Sequence, residues 1–345
     1  MIDGERVTFV WYGDEPPVLR GDFNHWDAEN TPPWQPYKSP LTADSPQVGM
    51  WCCELVFPAD AYIEYCLGPD GNRVADPFNK RRTPNGLGDH NHFFYMPEAG
   101  PTPLLRRKRG ALRGLVTRHQ VETAGLALGK RRTVYLYQPP SLGPVPLVIV
   151  YDGSDYRQRA KLPTIVDNLI AEKRIRPIAM AMVANAGSRG RLVEYACSES
   201  VLLFIHDKVL TLAGANLTLL DAQEQPGAFG VMGASMGGLM ALFTGLRLPH
   251  IFGHVLSQSG AFGFGHPDAV VTSLLGHGPI QALRIWLDVG RYEIGLESSR
   301  RVRTLLEKRG YDFGYREFNA GHNYPAWRDD VWRGLEALFP PAEGK

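Results

Sequence analysis

Short apolar and aromatic runs separated by turn residues fill the first hundred positions of the chain. Val7-Thr8-Phe9-Val10-Trp11-Tyr12 is rich in branched and aromatic side chains, and Gly13-Asp14-Glu15-Pro16-Pro17 breaks it. Trp51 to Phe57 and Ala61 to Leu67 read as further strands. A Pro69-Asp70-Gly71-Asn72 turn follows, and His92 to Tyr95 closes the series. Many short strands with turns between them and no helical period predict a small antiparallel β-sandwich over residues 1–97. Residues 98–110 contain Pro, Gly and the basic run Arg106-Arg107-Lys108-Arg109, and read as a solvated connection.

After that the rhythm changes. Val134 to Gln138, Leu147 to Tyr151, Ile178 to Val183, Ala228 to Met232, Ile285 to Val289 and Phe313 to Phe318 are short apolar runs with mixed or amphipathic segments between them. Ser298 to Arg309 has helical spacing, with Val302, Leu305 and Leu306 on one face. Strands alternating with helices predict a mostly parallel sheet covered on both faces over residues 111–345.

Composition narrows the partners. The 345 residues exceed what one core commonly organises, which agrees with two domains. A net charge of +1 supplies no field that would gather nucleic acid or an anionic membrane surface. The first residues have neither the form of a secretory signal nor that of a transit peptide, and no apolar run is long enough to span a bilayer. A cytoplasmic enzyme is expected. Cys52, Cys53, Cys66 and Cys197 match neither a disulfide framework nor a zinc spacing, so buried free thiols are expected. His90 and His92 alternate on one strand but lack a third ligand, and no metal or other cofactor is expected.

The chemistry concentrates in Gly233-Ala234-Ser235-Met236-Gly237-Gly238. It follows a strand and precedes a helix predicted over Leu239 to Leu246. This is the context of a nucleophile elbow, a sharp turn that strains the serine backbone and tolerates only small residues two positions to either side. A serine hydroxyl needs a base. In the chain order Ser…acid…His, His322 in Asn319-Ala320-Gly321-His322-Asn323 is best placed, after the last strand and before a helix over Trp327 to Leu338. His254, His266 and His277 precede the acid's expected position and read as surface or loop histidines. Glu293, just past the strand Arg284 to Gly290, is the preferred acid, and Asp288 within that strand is its competitor. Met236 N–H, and Ser154 N–H in Asp152-Gly153-Ser154, are the expected oxyanion donors.

At Tyr151-Asp152-Gly153, Gly233 to Gly238, Leu287-Asp288-Val289-Gly290…Glu293 and Gly321-His322…Trp327-Arg328, the chain resembles the enterochelin (enterobactin) esterase family, within the wider esterase group of α/β hydrolases. Gly21-Asp22-Phe23-Asn24-His25-Trp26 and Asp76-Pro77-Phe78-Asn79 look like that family's early-set, immunoglobulin-like N-terminal domain. The resemblance implies an α/β-hydrolase catalytic domain behind that sandwich, with Ser235, Glu293 and His322 as triad. It also implies a catecholate siderophore ester as the small-molecule substrate. A polyphenolic anion needs cationic and aromatic walls, for which Arg157, Arg189, Arg191, Tyr156 and Trp327 are candidates. The sandwich is expected to border the cleft and to matter chiefly for bulky substrates.

Two other readings stay open. One is a feruloyl or acetyl esterase acting on carbohydrate esters. The other is a carbohydrate-binding protein with an inert hydrolase fold, in which Trp11, Trp26, Trp34 and Trp51 are sugar platforms.

Overall fold

The structure is a computed structural model that describes residues 1–38, 46–68, 72–263 and 270–341. The turn expected at 69–71 and His266 lie outside the described residues. The chain forms two compact units. One comprises Met1–Gly100, Gly290–Ile294 and Phe318–Ala326, and the other Pro101–Val289, Gly295–Glu317 and Trp327–Lys345.

In the first unit, β1 (Ile2–Asp3), β2 (Arg6–Tyr12), β4 (Gln35–Lys38) and β5 (Pro46–Val56) form one sheet in the order β1-β2-β5-β4. The second sheet runs β3-β6-β8-β7, from β3 (Leu19–Gly21), β6 (Tyr62–Leu67), β7 (Arg82–Pro84) and β8 (His90–Tyr95). All the pairings are antiparallel. The two sheets share one buried cluster, to which β2 gives Val7 and Phe9, β6 gives Ile63, Tyr65 and Leu67, and β8 gives Phe94. Phe9 meets Tyr65 edge-on at 5.0 Å. Alternation along β2 puts Val7 and Phe9 inside and leaves Thr8 and Val10 partly exposed. β6 departs from it: all six residues are buried, Glu64 included.

The second unit is built on an eight-stranded mixed sheet in the order β16-β15-β14-β13-β11-β12-β10-β9. Its strands are β9 (Leu115–Glu122), β10 (Arg131–Gln138), β11 (Leu147–Val150), β12 (Ala179–Val183), β13 (Gly230–Ala234), β14 (His254–Gln258), β15 (Arg284–Gly290) and β16 (Asp312–Phe318). β12, β11, β13, β14 and β15 are parallel, while β10 and β9 add an antiparallel edge. The central strands are apolar throughout because helices cover both faces. The helices are α1 (Gly153–Gln158), α2 (Leu162–Ala171), α3 (Gly187–Glu194), α4 (Glu199–Phe204), α5 (Thr211–Asn216), α6 (Met236–Arg247), α7 (Val270–His277), α8 (Leu296–Arg309) and α9 (Tyr324–Leu338). A π turn over Ile205–Leu210 joins α4 to α5. None of these helices is long and apolar enough to cross a membrane.

Besides the short strands β1, β3, β4 and β7 of the first unit, two strands of the large sheet escaped the sequence pattern. β9 alternates but is largely exposed and polar, as an edge strand can be, and β14 is only five residues long. His254 is therefore a strand residue, not a loop histidine. Its ring stacks on Phe339 at 5.0 Å, and burial together with Arg176 pushes its pKa down. The cysteines are free, but only Cys53 and Cys66 are buried, with Cys52 and Cys197 partly exposed. From Thr102 to Lys108 the chain lies along α2. There the Asn168 carboxamide donates to Leu104 O (2.6 Å) and Arg106 O (3.0 Å) and accepts from Lys108 N–H (3.2 Å).

Candidate active site

Ser235 follows β13 and adopts φ 58°, ψ −123°, outside the basins open to side-chain-bearing residues. The strain is held by hydrogen bonds. Ser235 N–H donates to Gln258 O (2.9 Å), while its carbonyl accepts from Leu239 N–H and Ala261 N–H (3.0 Å each). The flanking glycines are required by space. A Cβ on Gly233 would lie 2.3 Å from Gly237 O, and one on Gly238 would lie 2.7 Å from Ser257 Oγ. α6 begins at Met236, so that N–H belongs to a first turn without intrahelical acceptors.

β11 is the parallel neighbour of β13, with Val150 opposite Met232. Asp152 then turns the chain in the left-handed region (φ 54°, ψ 39°), and α1 starts at Gly153. A Cβ on Gly153 would lie 2.2 Å from Met182 C, so only glycine lets this turn press against β12. Ser154 N–H and Met236 N–H thus arise at the ends of adjacent strands.

Asp152 ties the two turns together. Its carboxylate accepts from Asn185 Nδ2 (2.7 Å), Arg191 Nε (2.8 Å) and Arg191 Nη2 (2.7 Å). Arg191 Nη2 also donates to Ala234 O, one residue before the serine, at 3.0 Å. Farther along α3, Glu194 forms a buried two-point ion pair with Arg132 (2.7 and 2.8 Å). Sequence reasoning missed the roles of Asp152, Asn185 and Arg132, because no local pattern announces a partner 33, 39 or 62 residues away.

The loop after β15 carries Glu293, and the loop after β16 carries His322. Glu293 Oε2 lies 2.7 Å from His322 Nδ1, and its Oε1 accepts from Gly290 N–H at 2.7 Å. The Glu293 side chain is 1% exposed and the His322 side chain 43%. The two loops join through Arg291 N–H to Phe318 O (2.8 Å) and Tyr292 N–H to Ala320 O (3.2 Å). Asp288 faces elsewhere: its Oδ2 accepts from Trp286 Nε1 (3.1 Å) and Gln258 Nε2 (3.3 Å).

The expected substrate walls fare differently. Tyr156 is fully buried and its hydroxyl donates to Gln258 Oε1 (2.9 Å), so it offers no surface to a ligand. Trp327 is 4% exposed and donates to Ser259 Oγ at 2.8 Å. Its spacing to Val331, Leu335 and Leu338 marks it as the core face of α9. Arg191 is engaged by Asp152, and the Arg157 guanidinium lies 4.4 Å from the Tyr135 ring centroid. Arg189 on α3 is exposed. The tryptophans considered as sugar platforms are also committed. Trp11 and Trp34 pack on the sandwich core, and the indole N–H groups of Trp11, Trp26 and Trp51 donate to Glu15 O, Asp22 Oδ1 and Gly13 O.

The mixed sheet with parallel central strands, and a strained serine between strand and helix, fit an α/β-hydrolase domain. The chain belongs to the Esterase family, whose model, described as "Putative esterase", matches residues 125–338. It is similar to the iron(III) enterobactin esterase of Escherichia coli (strain K12), with 25% identity over 277 residues that cover 78% of this chain and 68% of that protein. It is also similar to the iron(III) salmochelin esterase of Escherichia coli O6:H1, 24% identical and covering 97% and 88% of the two chains. The solved ferric enterobactin esterase of Salmonella typhimurium shares the fold, with a TM-score of 0.77, 23% identity and coverage of 96% and 93%.

Proposed function

We propose that the protein is a serine esterase that hydrolyses a catecholate siderophore ester through an acyl-enzyme. In this reading Ser235 Oγ attacks the ester carbonyl while His322 Nε2 takes its proton. Glu293 holds Nδ1–H and stabilises the imidazolium. Met236 N–H and Ser154 N–H receive the oxyanion, and His322 then protonates the leaving alcohol before water repeats the sequence on the acyl-enzyme. These groups need no metal or cofactor. The observation that carries the reading is the 2.7 Å contact of Glu293 with His322, in the chain order the elbow at Ser235 requires.

The substrate class rests on the names of the relatives. The exposed Arg189 and the half-buried Arg157 are the cationic groups suited to a polyphenolate. The reading takes residues 1–97 as an early-set, immunoglobulin-like sandwich, 98–110 as the connection and 111–345 as the hydrolase. It places the enzyme in the cytoplasm with no nucleic-acid or membrane partner. A hydrolysis screen followed by mass spectrometry tests it, with ferric and iron-free enterobactin against feruloyl and acetyl sugars. Release of dihydroxybenzoyl-serine units is expected. Turnover of the sugar esters alone would replace the substrate and leave the chemistry.

A further inference from the structure

The loops that carry Glu293 and His322 belong to the compact unit of the sandwich. Tyr62 N–H, at the start of β6, donates to Asn319 O (2.9 Å), and Tyr62 forms a parallel bridge with Ala320. Asn319 Nδ2 donates to Asp60 Oδ1 (2.6 Å), and the Tyr292 ring meets Phe57 edge-on at 6.0 Å. The closest approach is at Gly321. A Cβ there would lie 2.1 Å from Asp22 Cγ and 2.1 Å from its Oδ1, so this carboxyl presses on the backbone next to His322. Gly321 has no left-handed φ, so it is space that requires glycine here.

The Gly21–Trp26 turn is organised to hold that carboxyl. Asn24 Oδ1 accepts from Gly21 N–H (2.9 Å), and its Nδ2 donates to the carbonyls of Leu19, Asp27 and Asn30. Asp22 is 2% exposed; its Oδ2 accepts from Glu64 N–H (2.8 Å) and its Oδ1 from Trp26 Nε1 (3.2 Å). We infer that Asp22 is a positioning residue for ester hydrolysis: through Gly321 it sets where the His322–Glu293 pair stands, which makes the sandwich part of the catalytic apparatus. The inference rests on Ser235, His322 and Glu293 being the triad. It replaces the expectation that the sandwich matters chiefly for bulky substrates, because a displaced base slows every ester.

The test uses the full-length protein and p-nitrophenyl butyrate, with circular dichroism and melting to establish that each variant is folded. Gly321→Ala should lower kcat by roughly tenfold or more and leave KM within about twofold, since the base moves and the acyl site does not. Asp22→Ala should lower kcat several-fold, and Asp22→Asn, which keeps the volume and an acceptor, should retain more. Asp22→Ala/Gly321→Ala should turn over faster than Gly321→Ala, because the new methyl occupies the space the carboxyl leaves. A purely structural role would lower the melting temperature without this rescue. A double variant no faster than Gly321→Ala overturns the inference. If Gly321→Ala does not fold, unchanged kcat in Asp22→Ala overturns it instead. Ser235→Ala separates the two levels. Retained turnover there removes the triad, and the inference with it, whereas a dead Ser235→Ala beside a fully active Gly321→Ala removes the positioning role alone.

Discussion

In Glu293→Gln the side chain keeps its length and can keep the acceptor that meets Gly290 N–H at 2.7 Å, but it loses its charge. What changes is the partner of His322 Nδ1, 2.7 Å away. A carboxylate accepts from Nδ1–H and leaves Nε2 able to take the serine proton. A carboxamide can present its own N–H and favour the opposite tautomer. Once Nε2 is protonated, the wild-type imidazolium faces a carboxylate whose side chain is 1% exposed, while the imidazole itself is 43% exposed. Two unit charges about 4 Å apart are worth about 4 kcal/mol at an effective dielectric near 20. Solvent on the open side of the ring screens roughly half of that, leaving about 2 kcal/mol. The tautomer change adds to this loss. The kcat for p-nitrophenyl butyrate should therefore fall by roughly 10²–10³ with KM within about twofold. Asp288→Asn is the paired control. It weakens the contacts with Gln258 and Trp286 and should act on melting temperature, with kcat within about threefold. Glu293→Gln keeping more than about a tenth of wild-type kcat, or losing less than Asp288→Asn, would refute the assignment of the acid.

Ser235→Ala should abolish ester turnover with little change in melting temperature, and a fluorophosphonate probe should label the wild type at Ser235 only; persistent turnover would refute the acyl-enzyme. Arg191→Lys loses the fork that spans Asp152 and Ala234 O, so kcat should drop by roughly tenfold, read by the same assay with KM as the internal reference. Arg132→Met leaves Glu194 buried without its cation and should cost about 3–5 kcal/mol, measured by urea denaturation. Burial and the neighbouring Glu64 hold the Asp22 carboxyl well above its usual 3.8, so the folded chain keeps a proton that the unfolded chain releases. The stability this group contributes is fully present below the unfolded value and is lost as pH rises through the folded one. The melting temperature of Asp22→Asn relative to wild type should therefore climb as pH rises above the usual carboxyl value of 3.8, and a difference independent of pH would contradict the shift.

Ser235 was legible because an elbow is a local object. A strand, a strained residue between small neighbours and a helix all lie within about fifteen consecutive positions, and each leaves its mark on residue type. His322 and Glu293 were legible for a related reason, as positions just past the ends of recognisable strands. The division of the chain showed in the change from short turn-bounded strands to strands alternating with helices, since burial on one face or on both writes different patterns. That the Asp288 carboxylate meets Trp286 and Gln258 is visible only in three dimensions. Tyr156 and Trp327 looked like substrate walls because an aromatic side chain reads the same whether it lines a cleft or fills a core, and only packing buried them. Asp22 and Gly321 are about three hundred residues apart, and nothing near either one names the other. Their contact exists because the loops after β15 and β16 belong to the unit built by the first hundred residues, an outcome of how whole elements pack. Local backbone demands are written into the residues that meet them, whereas partnership between distant side chains is set by the fold.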